Sequence, residues 1–158
     1  MKISRSLIFL CFISTIIACN ENLIFKEFNK DFPQFRWEKT KQIEFSPEIT
    51  DISNNYSVSL ELRHVFGFQF KDMKVQVETI SPSGKSSIKP YEFAVMDQNN
   101  EYLSECSVDI CDLKTTIEEN MKFEEAGTYK YIIEHNMPVH ILPNVMEMGL
   151  IIEKHSQK

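Results

Sequence analysis

Hydrophobic and polar residues alternate with a period of two through most of the chain after Arg36. Glu44 separates Ile43 from Phe45. Ser57, Ser59 and Glu61 separate Tyr56, Val58, Leu60 and Leu62, and Lys74 and Gln76 separate Met73, Val75 and Val77. Further rows follow at Tyr91, Phe93 and Val95; at Tyr129, Tyr131 and Ile133; and at Met146, Met148, Leu150 and Ile152. Successive side chains of a strand point to opposite faces, so each row marks the buried face of a half-exposed strand. β-Branched and aromatic residues fill the rows, as suits a pleated surface. Turn chemistry separates them. Ser81-Pro82-Ser83-Gly84 has the Pro and Gly placement of a type I turn. Asp97-Gln98-Asn99-Asn100 offers Asn for positive φ, and Pro138 and Pro143 bracket a loop. Strands joined by short turns, without regular helices between them, predict an all-β fold: a single antiparallel β-sandwich, jelly-roll or Ig-like, of about seven to nine strands. Residues 112–121 admit two readings. Asp112 suits a helix N-cap, whereas Ile117, Met121 and Phe123 fit a strand.

The first nineteen residues follow another rule. Lys2 and Arg5 precede an apolar run, Leu7 to Ile17, and polar Asn20 to Asn22 follow. A basic start, a short apolar core and a small residue before the cut describe an export signal. The run falls short of the roughly 20 apolar residues that span a bilayer. Ile16-Ile17-Ala18-Cys19 resembles a bacterial lipobox, in which the Cys is lipidated and becomes the new N-terminus. Each buried CH₂ contributes roughly 0.8 kcal/mol, one chain holds only marginally, and several together hold durably. The expected organisation is a lipoprotein signal peptide (1–18), a lipidated N-terminus and linker with one short strand near Leu23 to Phe28 (19–36), the β-sandwich domain (37–154) and a tail (155–158).

The chain of 158 residues carries 17 Lys and Arg against 23 Asp and Glu. Loss of Lys2 and Arg5 with the signal leaves 15 basic and 23 acidic residues, a net charge of −8. An acidic domain argues against nucleic acid and against charge-driven binding to anionic membranes. With only four Gly there is no Gly-rich phosphate loop, and Ser83-Gly84 belongs to a turn rather than a nucleophile elbow. Glu118/Glu119 and Glu124/Glu125 are neighbours that a strand would point to opposite faces, which suits a solvated edge better than an acid/base pair. No catalytic constellation, no metal set and no cofactor motif emerges.

Several residues stand out as candidates. Cys106 and Cys111, separated by four residues, form a candidate disulfide in an exported compartment, with two free thiols as the alternative. Zinc would need two more ligands, and His135 and His140 sit in an expected loop as solvated or hydrogen-bonded side chains; His64 and His155 complete the set. Phe66, Phe68 and Phe70 share one face if their segment is extended. They are then either core filling or an aromatic contact strip for a partner or a glycan. Trp37 reads as a core or domain-entry plug. Arg63 is expected to face outward and to pair with Glu78 or Glu61.

The order of residues also resembles the gliding-motility lipoprotein GldH family. The lipobox is followed by Trp37, Phe45, Tyr56, Leu60-Glu61-Leu62-Arg63 and Ser81-Pro82-Ser83-Gly84. Then come Phe123, Gly127-Thr128-Tyr129, Met137, Leu142 and Gly149-Leu150-Ile151-Ile152-Glu153. The likeness runs from Cys19 to about Lys154, with departures at Pro138 and over Glu101 to Ser104. It implies a non-enzymatic envelope lipoprotein, required for gliding over surfaces, without a cofactor and with gliding-apparatus proteins as partners. The expected location is the membrane, by way of the lipid anchor, with the outer membrane and a periplasm-facing domain preferred. The alternative is a carbohydrate- or peptide-binding sandwich of the envelope.

Overall fold

A computed structural model of the chain describes residues 22–155. Cys19 and the expected signal peptide lie outside the described residues. Thirteen strands follow in order: β1 (Leu23–Asn29), β2 (Arg36–Glu38), β3 (Ile43–Phe45), β4 (Glu48–Ile49), β5 (Tyr56–Val65), β6 (Asp72–Ile80), β7 (Ser86–Ala94), β8 (Glu105–Ser107), β9 (Ile110–Met121), β10 (Gly127–Thr128), β11 (Lys130–His135), β12 (Ile141–Pro143) and β13 (Val145–Lys154). The larger sheet has the order β1-β13-β5-β9-β8, and the second has the order β3-β11-β6-β7. All pairings in both are antiparallel. The short pairs β4–β10 and β2–β12 close the flanks. The architecture is the antiparallel β-sandwich that the alternation predicts; the described residues hold thirteen strands where about seven to nine are expected, the excess being the four strands of the short flanking pairs, too brief to show an alternation.

The inner faces meet in one core. Val58, Leu60 and Leu62 of β5 and Met148, Leu150 and Ile152 of β13 face Met73, Val75 and Val77 of β6 and Tyr131 and Ile133 of β11. Trp37 of β2 is wholly buried, as a plug should be. The row starting at Met146 is off by one at its first member. The pairing of β13 with β5 slips between Val145 and Glu147, so Val145 takes the buried place and Met146 is only half-buried. A bulge adds a residue and so resets the alternation beyond it.

The two readings of residues 112–121 resolve as strand β9. Cys111 and Leu113 face inward, and Thr115, Thr116 and Ile117 are β-branched, which favours strand over helix. The short strand expected near Leu23 to Phe28 forms as β1, Leu23–Asn29. β1 pairs with β13 from Leu23 to Asn29, and the Lys154 amide donates to the Asn22 carbonyl at 2.7 Å.

β5 orients the molecule. Its Tyr56 end lies beside Lys154 and Met121, the end where β1 begins. Its Val65 end pairs with Ile110 at the tip of the β8–β9 hairpin. The N-terminal entry and this hairpin thus occupy opposite ends of the sandwich, separated by about 30 Å for ten strand residues.

Candidate functional site

At the far end, the β8–β9 hairpin turns through two residues, Val108 and Asp109. Cys106 and Cys111 face each other across it and are joined by a disulfide, with Cα atoms 4.0 Å apart. That is shorter than the roughly 4.4–6.8 Å usual for bridged pairs. Val108 has φ +56° and is 90 % exposed. A positive φ at the first central residue is the position that a type II′ hairpin gives to Gly. A β-branched residue there costs on the order of 1–3 kcal/mol. The hairpin therefore holds a bare apolar side chain at a strained position, with a covalent clamp two residues below it.

Other exposed hydrophobics gather there. Phe66 is 59 % exposed, and its amide donates to the Asp109 carbonyl at 2.8 Å. Its ring meets Tyr102, whose hydroxyl donates to the Phe68 carbonyl and accepts from the Gly67 amide. Leu103 and Ile110 are also exposed. The segment 97–113 that builds most of this tip contains five acidic residues and no Lys or Arg. Asp112 is bound by Arg63, whereas Glu101, Glu105 and Asp109 are exposed around the apolar residues.

Of the two readings of Phe66, Phe68 and Phe70, core filling holds for Phe68 and the three do not share an exposed face. β5 ends at Val65, and Gly67, at φ +100°, turns the chain, so the segment is not extended. Phe68 is core at 1 % exposure, Phe70 packs half-buried on it, and Phe66 alone projects outward. Arg63 does face outward, but its partners differ from those expected. Nε and Nη2 donate to the two carboxylate oxygens of Asp112 at 2.7 and 3.0 Å, and Nη1 reaches Glu147 at 3.0 Å. Asp112 and Glu147 stand opposite Arg63 on the two neighbouring strands, closer than Glu61 in sequence or Glu78 on the other sheet.

Two of the histidines, His64 and His135, are core residues. His64 is fully buried, with Nε2 2.8 Å from the Ser104 hydroxyl and Nδ1 3.1 Å from the Val65 carbonyl. His135 closes β11 and is buried against the Trp37 ring; it is not in a loop, and neither ring nitrogen makes a well-formed hydrogen bond. Burial pushes both imidazoles below the usual histidine value. Val65 and Asp112 oppose this at His64, and the Trp37 backbone opposes it at His135. His140 is exposed. Among the described residues no group of three or more His, Cys, Asp or Glu is placed to hold a metal.

The sequence reading missed a cleft between the sheets on the side where β7 and β9 face each other. It encloses about 320 Å³ and is lined by Tyr91, Tyr129, Tyr131, Phe123, Lys89 and Glu118, among others. Glu118 accepts from Lys89 Nζ at 2.6 Å and from the Tyr91 hydroxyl at 2.5 Å, tying the two sheets together. Burial raises the Glu118 carboxyl, but these two donors outweigh it and hold the group below its ordinary value. Burial, then nearby Tyr129 and Glu118, push the Tyr131 phenol up. The Tyr131 hydroxyl is buried and has no hydrogen-bond partner among the described residues. Such a group costs roughly 1–3 kcal/mol.

The fold is a two-sheet antiparallel sandwich with a disulfide-bridged hairpin at one end and a cleft between its sheets. The family model for GldH lipoprotein matches residues 24–152, so the chain belongs to the GldH lipoprotein family. It is similar to a gliding motility lipoprotein GldH homolog of Christiangramia forsetii, 25 % identical over 153 residues, covering 90 % of this chain and 93 % of the relative. It is also similar to the gliding motility lipoprotein GldH of Flavobacterium johnsoniae, 24 % identical over 151 residues, covering 96 % and 87 %. Membership makes it a non-enzymatic, lipid-anchored envelope protein that works through protein contacts.

Proposed function

We propose that this chain is an accessory lipoprotein of the bacterial gliding apparatus, anchored through acyl chains on Cys19 and docking an apparatus protein with its far tip. The relatives' role in gliding motility supports the first half. The observation that carries the second half is the tip itself: Val108 and Ile110 exposed on the disulfide-clamped hairpin, with Phe66 exposed beside it.

Geometry and charge define the occupant. Cys19 precedes Asn22 by three residues, a reach of about 10 Å. The anchor thus belongs to the end where β1 starts, and the tip points away from the anchoring leaflet. Acidic Glu101, Glu105 and Asp109 repel anionic lipid and fit a protein whose apolar pocket is ringed by Lys or Arg. Placement in the outer membrane with the domain facing the periplasm completes the reading.

The anchor is tested by Cys19→Ala in cells lacking the native copy. Only a thiol forms the thioether, and the core from Trp37 to Glu153 does not need it. The expected result is a folded, mislocalised protein and cells that no longer glide. Normal gliding at normal abundance, with the variant free of the membrane, would show the anchor to be dispensable. The tip is tested by a photo-crosslinker at Phe66 in gliding cells. An adduct with a gliding-required protein, lost on Val108→Asp, supports the proposal; no adduct, or one that Val108→Asp leaves intact, removes the tip as the contact.

A further inference from the structure

The interior cleft has the chemistry of a ligand site that neither the anchor nor the tip uses. The half-buried Tyr91 ring forms one wall, and Tyr129, Tyr131 and Phe123, each almost wholly buried, form its floor. Its polar groups are the Glu118 carboxylate, the Lys89 ammonium, and the Ser87 and Thr79 hydroxyls. Tyr131 also lines it, 3 % exposed, and its buried hydroxyl has no partner among the described residues.

Two features keep the cleft from being a place for an added strand. β7 borders it and carries Pro90, which lacks an N–H, in mid-strand. β9 borders it on the other side, where pairing with β5 slips on both sides of Val58 and Asn120 has φ +54°. Proline and bulges blunt an edge against further pairing. The slip at Ile117 also turns Glu118 to the same face as Val58, and so into the cleft. What enters is therefore recognised by side chains, not by a ladder of backbone bonds.

The side chains narrow the class. An ion pair and several hydroxyls in the mouth do not suit an acyl chain. A central carboxylate does not suit a phosphate. Aromatic faces beside hydroxyl, carboxylate and ammonium groups suit a sugar ring, whose C–H face stacks while its hydroxyls exchange hydrogen bonds. A volume of about 320 Å³ is at the small end of ligand sites, the size of one or two pyranose rings.

We propose that the cleft between β7 and β9 binds a saccharide, stacked on the Tyr91 ring and hydrogen-bonded to Tyr131, Glu118 and Lys89. The site lies on the anchor side of the sandwich, lined by Val58, Met121 and Tyr129, so a wall polysaccharide and a glycolipid headgroup are both sources within reach.

The test uses the mature lipoprotein in detergent micelles. Calorimetry and ligand-observed NMR follow its binding to diacetylchitobiose, maltose and cellobiose, with acetyl-phenylalanine amide as a peptide-like control. At least one disaccharide is expected to bind. Tyr131→Phe should weaken it about tenfold, the loss of one good hydrogen bond. Because that variant removes an unpartnered buried hydroxyl, its melting temperature should hold or rise. Tyr91→Ala should abolish binding. Retention on insoluble cell-wall glycan identifies a wall source, and retention on glycolipid vesicles a headgroup source; either supports the proposal. No disaccharide binding up to about 10 mM, where even weak sites fill, overturns it. So does disaccharide binding that Tyr131→Phe leaves unchanged, or binding of the phenylalanine amide alone.

Discussion

The Phe28 ring lies against the backbone of Gly149. A Cβ built on Gly149 would sit 2.5 Å from Phe28 Cε1 and 3.3 Å from the Glu27 carbonyl. This contact sews β1, the first strand after the expected anchor, to β13, the last strand of the chain. Packing thereby fixes how β1 sits on the sheet. Gly149→Ala should cost about 1–3 kcal/mol by overpacking. Hydrogen exchange should show β1 amides losing protection first, and unchanged β1 protection would mean that the ring moves aside freely.

The disulfide closes a short hairpin loop, so removing it should cost about 2 kcal/mol by the loop-entropy relation. Cys106→Ser with Cys111→Ser should leave the two main sheets folded, because the core lies away from β8. Denaturant melts with and without reductant provide the measurement. Global unfolding on reduction would show that the hairpin does more than present the tip.

Acid should weaken the domain through its buried histidines. Unfolded, an imidazole protonates near 6.5. Folded, burial holds His64 and His135 below that value. Below 6.5 the unfolded chain therefore binds more protons, and stability falls with pH from there down to the folded values. His64 has Ser104 and Val65 as partners, whereas His135 faces the Trp37 ring. His135→Leu keeps an apolar contact there and should shrink the stability difference between about pH 7.5 and pH 5.5. An unchanged difference in urea midpoints would assign the acid sensitivity elsewhere.

Much of this was legible in the sequence for a physical reason. Period two is a property of the strand, so Leu60 and Leu62 declare their burial one residue at a time. Longer-range choices were not legible. The partners of Arg63 are set by which strands flank β5, and no local pattern states that Asp112 and Glu147 will be those neighbours. The phenylalanine strip failed because Gly67 turns the chain, a single residue outweighing an attractive alternation. The cleft did leave a trace. The inward row Val95, Phe93, Tyr91 continues at Lys89 and Ser87, polar residues in core positions, which marks a strand running out of core. Its partner Glu118 is delivered by a bulge, and bulges have no sequence signature here.

The account turns on the tip, and Val108→Gly in gliding cells tests it most directly. Gly suits the turn geometry that Val108 strains to adopt, so the variant should fold as well as the parent or better, by up to about 1 kcal/mol. It also removes the most exposed apolar side chain of the patch. The account predicts a protein that is lipidated, abundant and at least as heat-stable as the parent, in cells whose gliding is lost or sharply reduced. Full gliding with that protein would contradict docking through the tip.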